Sequence, residues 1–251
     1  MKIVVAVKQI PDLQQIRIRD RRPVLDNVPR VLGDIDKSAL EAGVALKEST
    51  EGKLIIVSAG DKELDDTMKE ALAAGADEAV LIKDCQFTGG ESFLIAKVLA
   101  AAIRKIDDVG LILFGEGSAD NYSGQVVSGV AELLEYPQVG YANNIEVGDN
   151  RARVTRSLED CEEIVEVSLP VIISVVSEIK EPRIPSVTSI LKAGKKPKEI
   201  YGLSDLAISN PEESKVSVDS NLAPLSERKG VNVTSVDELI KILESEGVIG
   251  R

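Results

Sequence analysis

At 251 residues, with 43% hydrophobic and 29% charged side chains, the chain can bury a sizeable core and reads as an ordinary soluble globular protein. A net charge of −12 and 3% aromatic residues speak against nucleic acid or an anionic membrane as partner. Histidine is absent and cysteine is limited to Cys85 and Cys161. That excludes His-based acid–base chemistry and a Ser–His–Asp triad, offers no metal-ligand spacing, and points to a reducing, cytoplasmic compartment.

In chain order, MKIVVAVKQIPD contains a six-residue apolar run, too short for a signal peptide or a membrane span. It reads as a buried first strand over 3–7. Residues 16–25, IRIRDRRPVL, alternate apolar and basic side chains and read as an appended hairpin. Apolar runs at 54–58, 79–82 and 111–114 also lack polar alternation, as strands covered on both faces do. Helical patterns occupy 36–48, 64–74, 91–106 and 118–134. This alternation implies an α/β fold, Rossmann-like, with a mostly parallel sheet and helices on both faces.

Past Pro137 the pattern changes to antiparallel strands at 144–147, 151–156 and 164–168, then an apolar run at 171–176 behind Pro170. A Pro-punctuated connector and a polar stretch follow. The end, 236–247, is an amphipathic helix with Ser235 as its N-cap. The expected division is an α/β nucleotide-binding domain over 1–180 and a partner-recognition loop and extended C-terminal arm over 181–251. Ile184, Val187, Ile190, Leu191, Leu203 and Leu206 recur in the second part, which favours wrapping of a partner.

The nucleotide reading begins at LILFGEGSADNYSGQV, residues 111–126. An apolar strand enters a small-residue loop with Gly115, Gly117 and Gly124, and a helix follows. Converging backbone N–H groups and a helix dipole make such a loop an anion site, although Gly and Ser are also ordinary turn residues. Ligands of open α/β sheets sit beyond the strands' carboxyl ends. Three more segments leave such ends: 8–12, 33–36 and 58–60. Ala6, Val7 and Lys8 can present backbone to an adenine ring. Gly33 precedes a helix for which Asp34 or Asp36 is most simply the N-cap. Ser58, Ala59 and Gly60 form either a tight turn or a ribose-facing loop.

Taken together these motifs resemble the beta subunit of electron transfer flavoproteins, the group that includes the FixA proteins. VAVKQIPD opens the chain as in that family. DIDKSALEAGVALKE fits its first helix, ALAAGADEAVLI the strand after the second, and GEGSADNYSGQV with AELLEYPQV its nucleotide loop and following helix. Within VTRSLEDCEEIVEVSLPVIISV, Arg156, Glu159, Asp160, Glu163 and Pro170 meet the family's most characteristic pattern. Cys161 departs from it, standing where the family has Gly or an acidic residue. EPRIPSVTSILKAGKKP matches the family's partner-recognition loop.

The resemblance implies a heterodimer whose alpha subunit carries an FAD in a mobile domain, with the beta chain as rigid base. It implies that Val187 anchors a redox partner, flanked by Ile190, Leu191 and Lys192. It also places Arg156 near the alpha-subunit flavin, with Ser157 where some members have Glu. Acyl-CoA dehydrogenases, quinone oxidoreductases and ferredoxin are the implied partner classes.

The family divides over its beta pocket: simple carriers hold AMP, and electron-bifurcating members hold a second FAD that accepts hydride from NADH. Here only Asn121, Tyr122, Ser123 and Gly124 separate Asp120 from Gln125, and Val126 follows, as in the bifurcating type. KQIPD points the same way, whereas Val127 and Ser128 replace that branch's usual Gly-Pro. FAD is therefore favoured and AMP is the alternative. Asp120, Ser123 and Gln125 are the expected polar contacts, backbone at Gly115, Gly117 and Gly124 the phosphate cradle, with Ser118, Tyr122 and Val126 completing the loop. No side chain need act as acid, base or nucleophile, so enzyme status turns on the bifurcation question. A stand-alone adenine-nucleotide-binding module and a thiol enzyme are the competing classes. The first would not need the arm, and the second lacks a His partner for either Cys.

Overall fold

A computed structural model of the chain describes residues 1–60, 63–83, 92–208, 218–225 and 230–249. Cys85, Glu91 and parts of the polar stretch after 208 lie outside the described residues. Two compact units are present: Met1–Arg17 with Leu25–Asp219, and Ile18–Val24 with Ser220–Arg251.

The first unit begins with β1 (Lys2–Ala6) and β2 (Gln9–Pro11). After the hairpin strands β3 (Arg17–Arg19) and β4 (Arg22–Val24), β5 (Arg30–Leu32) pairs back on β2. Then α1 (Asp34–Thr50), β6 (Lys53–Gly60), α2 (Leu64–Ala74) and β7 (Glu78–Lys83) form successive βαβ crossover units between parallel neighbours. Next come α3 (Ser92–Ile103), β8 (Val109–Gly115) and α4 (Val126–Leu134). The antiparallel extension is β9 (Gln138–Gly148), β10 (Arg151–Ser157) and β11 (Glu162–Ser168), and β12 (Val171–Val175) returns to the parallel part. The unit closes with α5 (Val187–Ala193) and β13 (Lys198–Tyr201).

The nine-stranded sheet runs β11-β10-β9-β12-β8-β1-β6-β7-β13 and is parallel except where β10 joins β9 and β11. Strand pleating divides its apolar residues between two cores. Ile3 and Val5 of β1 face the layer of α1 and α2 with Leu40, Val44, Met68 and Leu72. Val4 and Ala6 face α3 and α4 with Val98, Leu99, Val127 and Val130. Double coverage is why these strands read as unbroken apolar runs. At Gly43, a Cβ would lie 2.7 Å from Val5 Cγ2, so α1 can cross β1 this closely only without a side chain there.

Three expectations change in detail. The fourth helix starts at Val126 and not at 118, because Tyr122 and Gly124 take left-handed φ values of 48° and 63°, which a helix cannot contain. Residues expected to be a connector form α5 and β13, and β13 pairs in parallel with β7. Leu203 and Leu206, read as apolar residues for a partner, are buried in the α3/α4 core.

In the second unit the hairpin turns at Asp20 and Arg21, both with positive φ, the geometry that twists two strands together. Arg21 is held to the arm by its carbonyl accepting from Ala223 N at 2.7 Å and its Nε donating to Ala223 O at 2.8 Å. The helix α6 (Val236–Ser245) is capped by Ser235, whose side chain accepts from Glu238 N. No helix among the described residues is long and apolar enough to cross a membrane.

Candidate functional site

The chain builds outward from β1 in one direction through β6 and β7, then crosses back to place β8 on β1's other side. The carboxyl ends of β1 and β8 therefore flank a topological switch point, where α/β sheets leave a crevice for ligand. Lys8 leaves β1 there and the 116–125 loop leaves β8. Their side chains meet: Lys8 Nζ donates to Asp120 at 2.8 and 2.9 Å and to Ser118 Oγ at 3.2 Å.

Beneath this bridge lies Asp36, in the first turn of α1. Its Oδ2 accepts the Lys8 backbone N–H at 2.7 Å, and a Cβ on Gly115 would come within 2.9 Å of its Oδ1. Asp36 is 7% exposed, and burial pushes its pKa up to about 7, against the opposing pull of the Lys8 N–H and ammonium. The N-cap of α1 is Gly33, in extended conformation, so the cap expected at Asp34 or Asp36 is corrected. Asp36 instead ties α1 to the end of β1. Gly115 must lack a side chain, since a Cβ would also strike Ile35 Cγ2 at 2.8 Å.

In the loop itself, Tyr122 N donates to Ser118 O at 2.7 Å and the Tyr122 ring lies over Gly117, where a Cβ would sit 3.0 Å from it. Ser123 is bonded to Ser92 Oγ at the start of α3, at 3.1 Å. Gly124, in the left-handed region, has only Glu116 O within reach of a Cβ, at 3.5 Å. Gln125 stands at the N-cap of α4 in helical conformation and makes no side-chain cap bond. The first-turn amides of α4, beginning at Val126, thus lack the usual side-chain acceptor and are open to an anion. The acid beside this surface is partly offset, because Asp120 is paired with Lys8.

Ala6 and Val7 sit at the buried end of β1, and Ser58 Oγ is spent on Val7 O at 2.7 Å. Ala59 and Gly60 finish β6 next to them, with Gly60 against Leu64. Arg156 is not part of this cluster. It lies on β10, four strands from β1 and so about 19 Å across the sheet. Its Nε donates to Gly140 O at 2.8 Å and its guanidinium pairs with Glu163 at 3.0 Å. Val187, Ile190 and Leu191 are 75%, 55% and 74% exposed on α5, and Lys192 is exposed beside them.

Sequence reading missed the ion pair that closes the site, since 112 residues separate Lys8 from Asp120. It also missed Gln9, which reaches α2 through Thr67 Oγ1 at 2.7 Å and Glu63 O at 3.1 Å. The available signal was a Lys and an Asp in the loops that follow two apolar strands, at two and five residues past the strand ends.

The model of the electron transfer flavoprotein domain matches residues 24–206. An electron transfer flavoprotein subunit beta from Thermoanaerobacterium thermosaccharolyticum is 34% identical over 99% of this chain and 100% of its own length. The caffeyl-CoA reductase-Etf complex subunit CarD of Acetobacterium woodii is 35% identical over 83% of this chain and 81% of its own. The corresponding subunit beta of Syntrophomonas wolfei is 32% identical over 95% and 92%. With that coverage, and a mostly parallel α/β sheet carrying the glycine-rich loop at its switch point, the chain belongs to the electron transfer flavoprotein family, among its beta subunits.

Proposed function

We propose that this chain pairs with an electron transfer flavoprotein alpha subunit and holds an FAD in the crevice between β1 and β8, in a complex that accepts hydride from NADH and divides the electrons between two acceptors. The observation carrying this reading is the switch-point cradle: a bare α4 N-terminus behind Gly124, with the loop pinned by Lys8 to the end of β1. The fit to a diphosphate-linked adenine nucleotide is chemical. Backbone N–H groups and a helix dipole suit phosphate, and a carboxyl at Asp36 with pKa about 7 carries less than a full negative charge near neutrality.

The protein's part is binding and orientation. Lys8, just past the end of β1, flanks the crevice, Gly124 and the first turn of α4 would receive phosphate oxygens, and Ser123 is held in place by Ser92. Bound there, the cofactor would supply the electron-transfer chemistry, which its surroundings tune through hydrogen bonds and charge. Arg156, on the sheet extension, belongs to the surface turned to the alpha-subunit flavin in this reading. Redox partners, such as an acyl-CoA dehydrogenase, a quinone oxidoreductase or ferredoxin, would dock at α5. The short 116–125 loop and the likeness to a subunit named for a reductase complex support FAD over AMP.

The reading is tested by anaerobic titration of the purified heterodimer with NADH, following flavin absorbance. Bleaching of flavin without added dehydrogenase is the expected result. A heterodimer whose flavin stays oxidised with NADH but is reduced through a dehydrogenase would overturn the bifurcating assignment.

A further inference from the structure

The segment between Ile179, buried beside α1, and Ala193, buried in the α1/α2 core, contains no buried side chain. Apolar burial therefore does not hold it. Yet Val187, Ile190 and Leu191 stand at i, i+3 and i+4, the spacing of a helical stripe that normally turns inward. Here the stripe faces solvent, continued by Ile184 at 94% exposure.

Two cations hold its ends. Ahead of α5, Arg183 forks between Glu41 and Glu48, two turns apart on α1. Its Nε and guanidinium reach Glu41 at 2.8 Å and Glu48 at 2.8 Å, and its backbone N donates to Glu41 at 3.2 Å. The Glu41 side chain is only 12% exposed, so removing Arg183 strands a nearly buried carboxylate. Behind α5, Lys196 Nζ donates to Leu72 O at 2.7 Å and Ala76 O at 2.5 Å, taking up carbonyls at the C-terminal end of α2.

We infer that Arg183 and Lys196 are positioning residues that clamp α5 from both sides and so present Val187, Ile190 and Leu191 to a redox partner in one preformed arrangement. The inference rests on the docking role proposed for α5. A seven-residue helix with one buried side chain would fray in isolation, because nucleating so short a helix is unfavourable. If the partner had to order it, that cost would fall on every encounter. Fixing it in advance removes the cost from binding. The same geometry limits what can dock. With exposed Lys192 and Lys195 beside the stripe, the complementary surface is an apolar pocket with carboxylates at its rim.

The test uses the heterodimer purified with its alpha subunit, comparing wild type with Arg183→Gln, Arg183→Lys and Lys196→Gln. Amide hydrogen exchange of peptides covering 184–193 should rise at least tenfold in both Gln variants and return part-way in Arg183→Lys. Peptides from β1, β8 and α4 should stay unchanged. Unaltered exchange at 184–193 in both Gln variants would overturn the clamp. If Arg183→Gln does not fold, Glu48→Gln opens one arm of the fork only and should give a smaller rise in the same peptides.

Turnover with an acyl-CoA dehydrogenase then reads the consequence. Arg183→Gln should raise the KM for the flavoprotein several-fold at unchanged kcat, and a fall in kcat at constant KM would contradict positioning. The double variant Val187→Ala, Leu191→Ala should raise KM without changing exchange. If its KM does not move, the docking reading fails while the exchange result still decides the clamp. Should that dehydrogenase give no turnover, the docking reading fails for that partner class and exchange again decides.

Discussion

Asp36 sits below the crevice with its carboxyl buried, and burial is what raises its pKa to about 7 from the usual aspartate value near 4. Between those values the folded chain binds more protons at this site than the unfolded chain does. By linkage, this group's contribution to stability falls as pH rises through about 4 to 7 and is level above. Asp36→Asn keeps an oxygen for the Lys8 N–H and removes the charge. In urea unfolding it should match wild type near pH 4 and exceed it at pH 8, by on the order of a few kcal/mol. A variant that kept the wild-type slope would place the titration elsewhere. Gly115→Ala belongs to the same spot. Its Cβ would meet Ile35 and Asp36 below 3 Å, so a loss of about 1–3 kcal/mol is expected, together with weaker nucleotide retention, read by thermal melts with and without added FAD.

At the scale of elements, the strands over 3–7, 54–58, 79–82 and 111–114 were legible because both faces of each are covered, so apolar residues run without a break. The start of α4 was not. Ser, Ala, Asp and Asn in the 118–121 stretch are compatible with a helix, and only backbone geometry shows the turn at Ser118–Tyr122 and the left-handed residues after it. The edge strand β13 was hidden for a different reason. It is four residues long, pairs on one side, and its Lys-Glu-Ile-Tyr sequence shows no strand-like alternation of polar and apolar residues. Leu203 and Leu206, just beyond it, join the α3/α4 core, so Leu206→Ala should cost about 2–5 kcal/mol in denaturant unfolding. A neutral result would mean that residues after 200 do not stabilise the first unit. The N-cap at Ser235 was readable from its position before an amphipathic run. Ser235→Ala should loosen α6 by about 1 kcal/mol, seen as faster amide exchange there and nowhere in the sheet.

For the whole molecule, the site is a product of topology more than of any motif. Lys8 and Asp120 become neighbours because β8 returns to the free side of β1, and no local pattern could announce a pair 112 residues apart. The glycine-rich loop was visible as a candidate; what the fold adds is its place at the switch point and the uncapped helix behind it. Arg156 marks the complementary case. The family resemblance put it near the flavin of the alpha subunit, and the sheet sets it four strands from β1, outside this crevice. The central claim is thus about what fills the β1/β8 crevice. The most direct measurement is to denature the purified heterodimer and quantify the nucleotides released. Two FAD per heterodimer and no AMP is the expected result; one FAD and one AMP would contradict the account and make the chain part of a simple electron carrier.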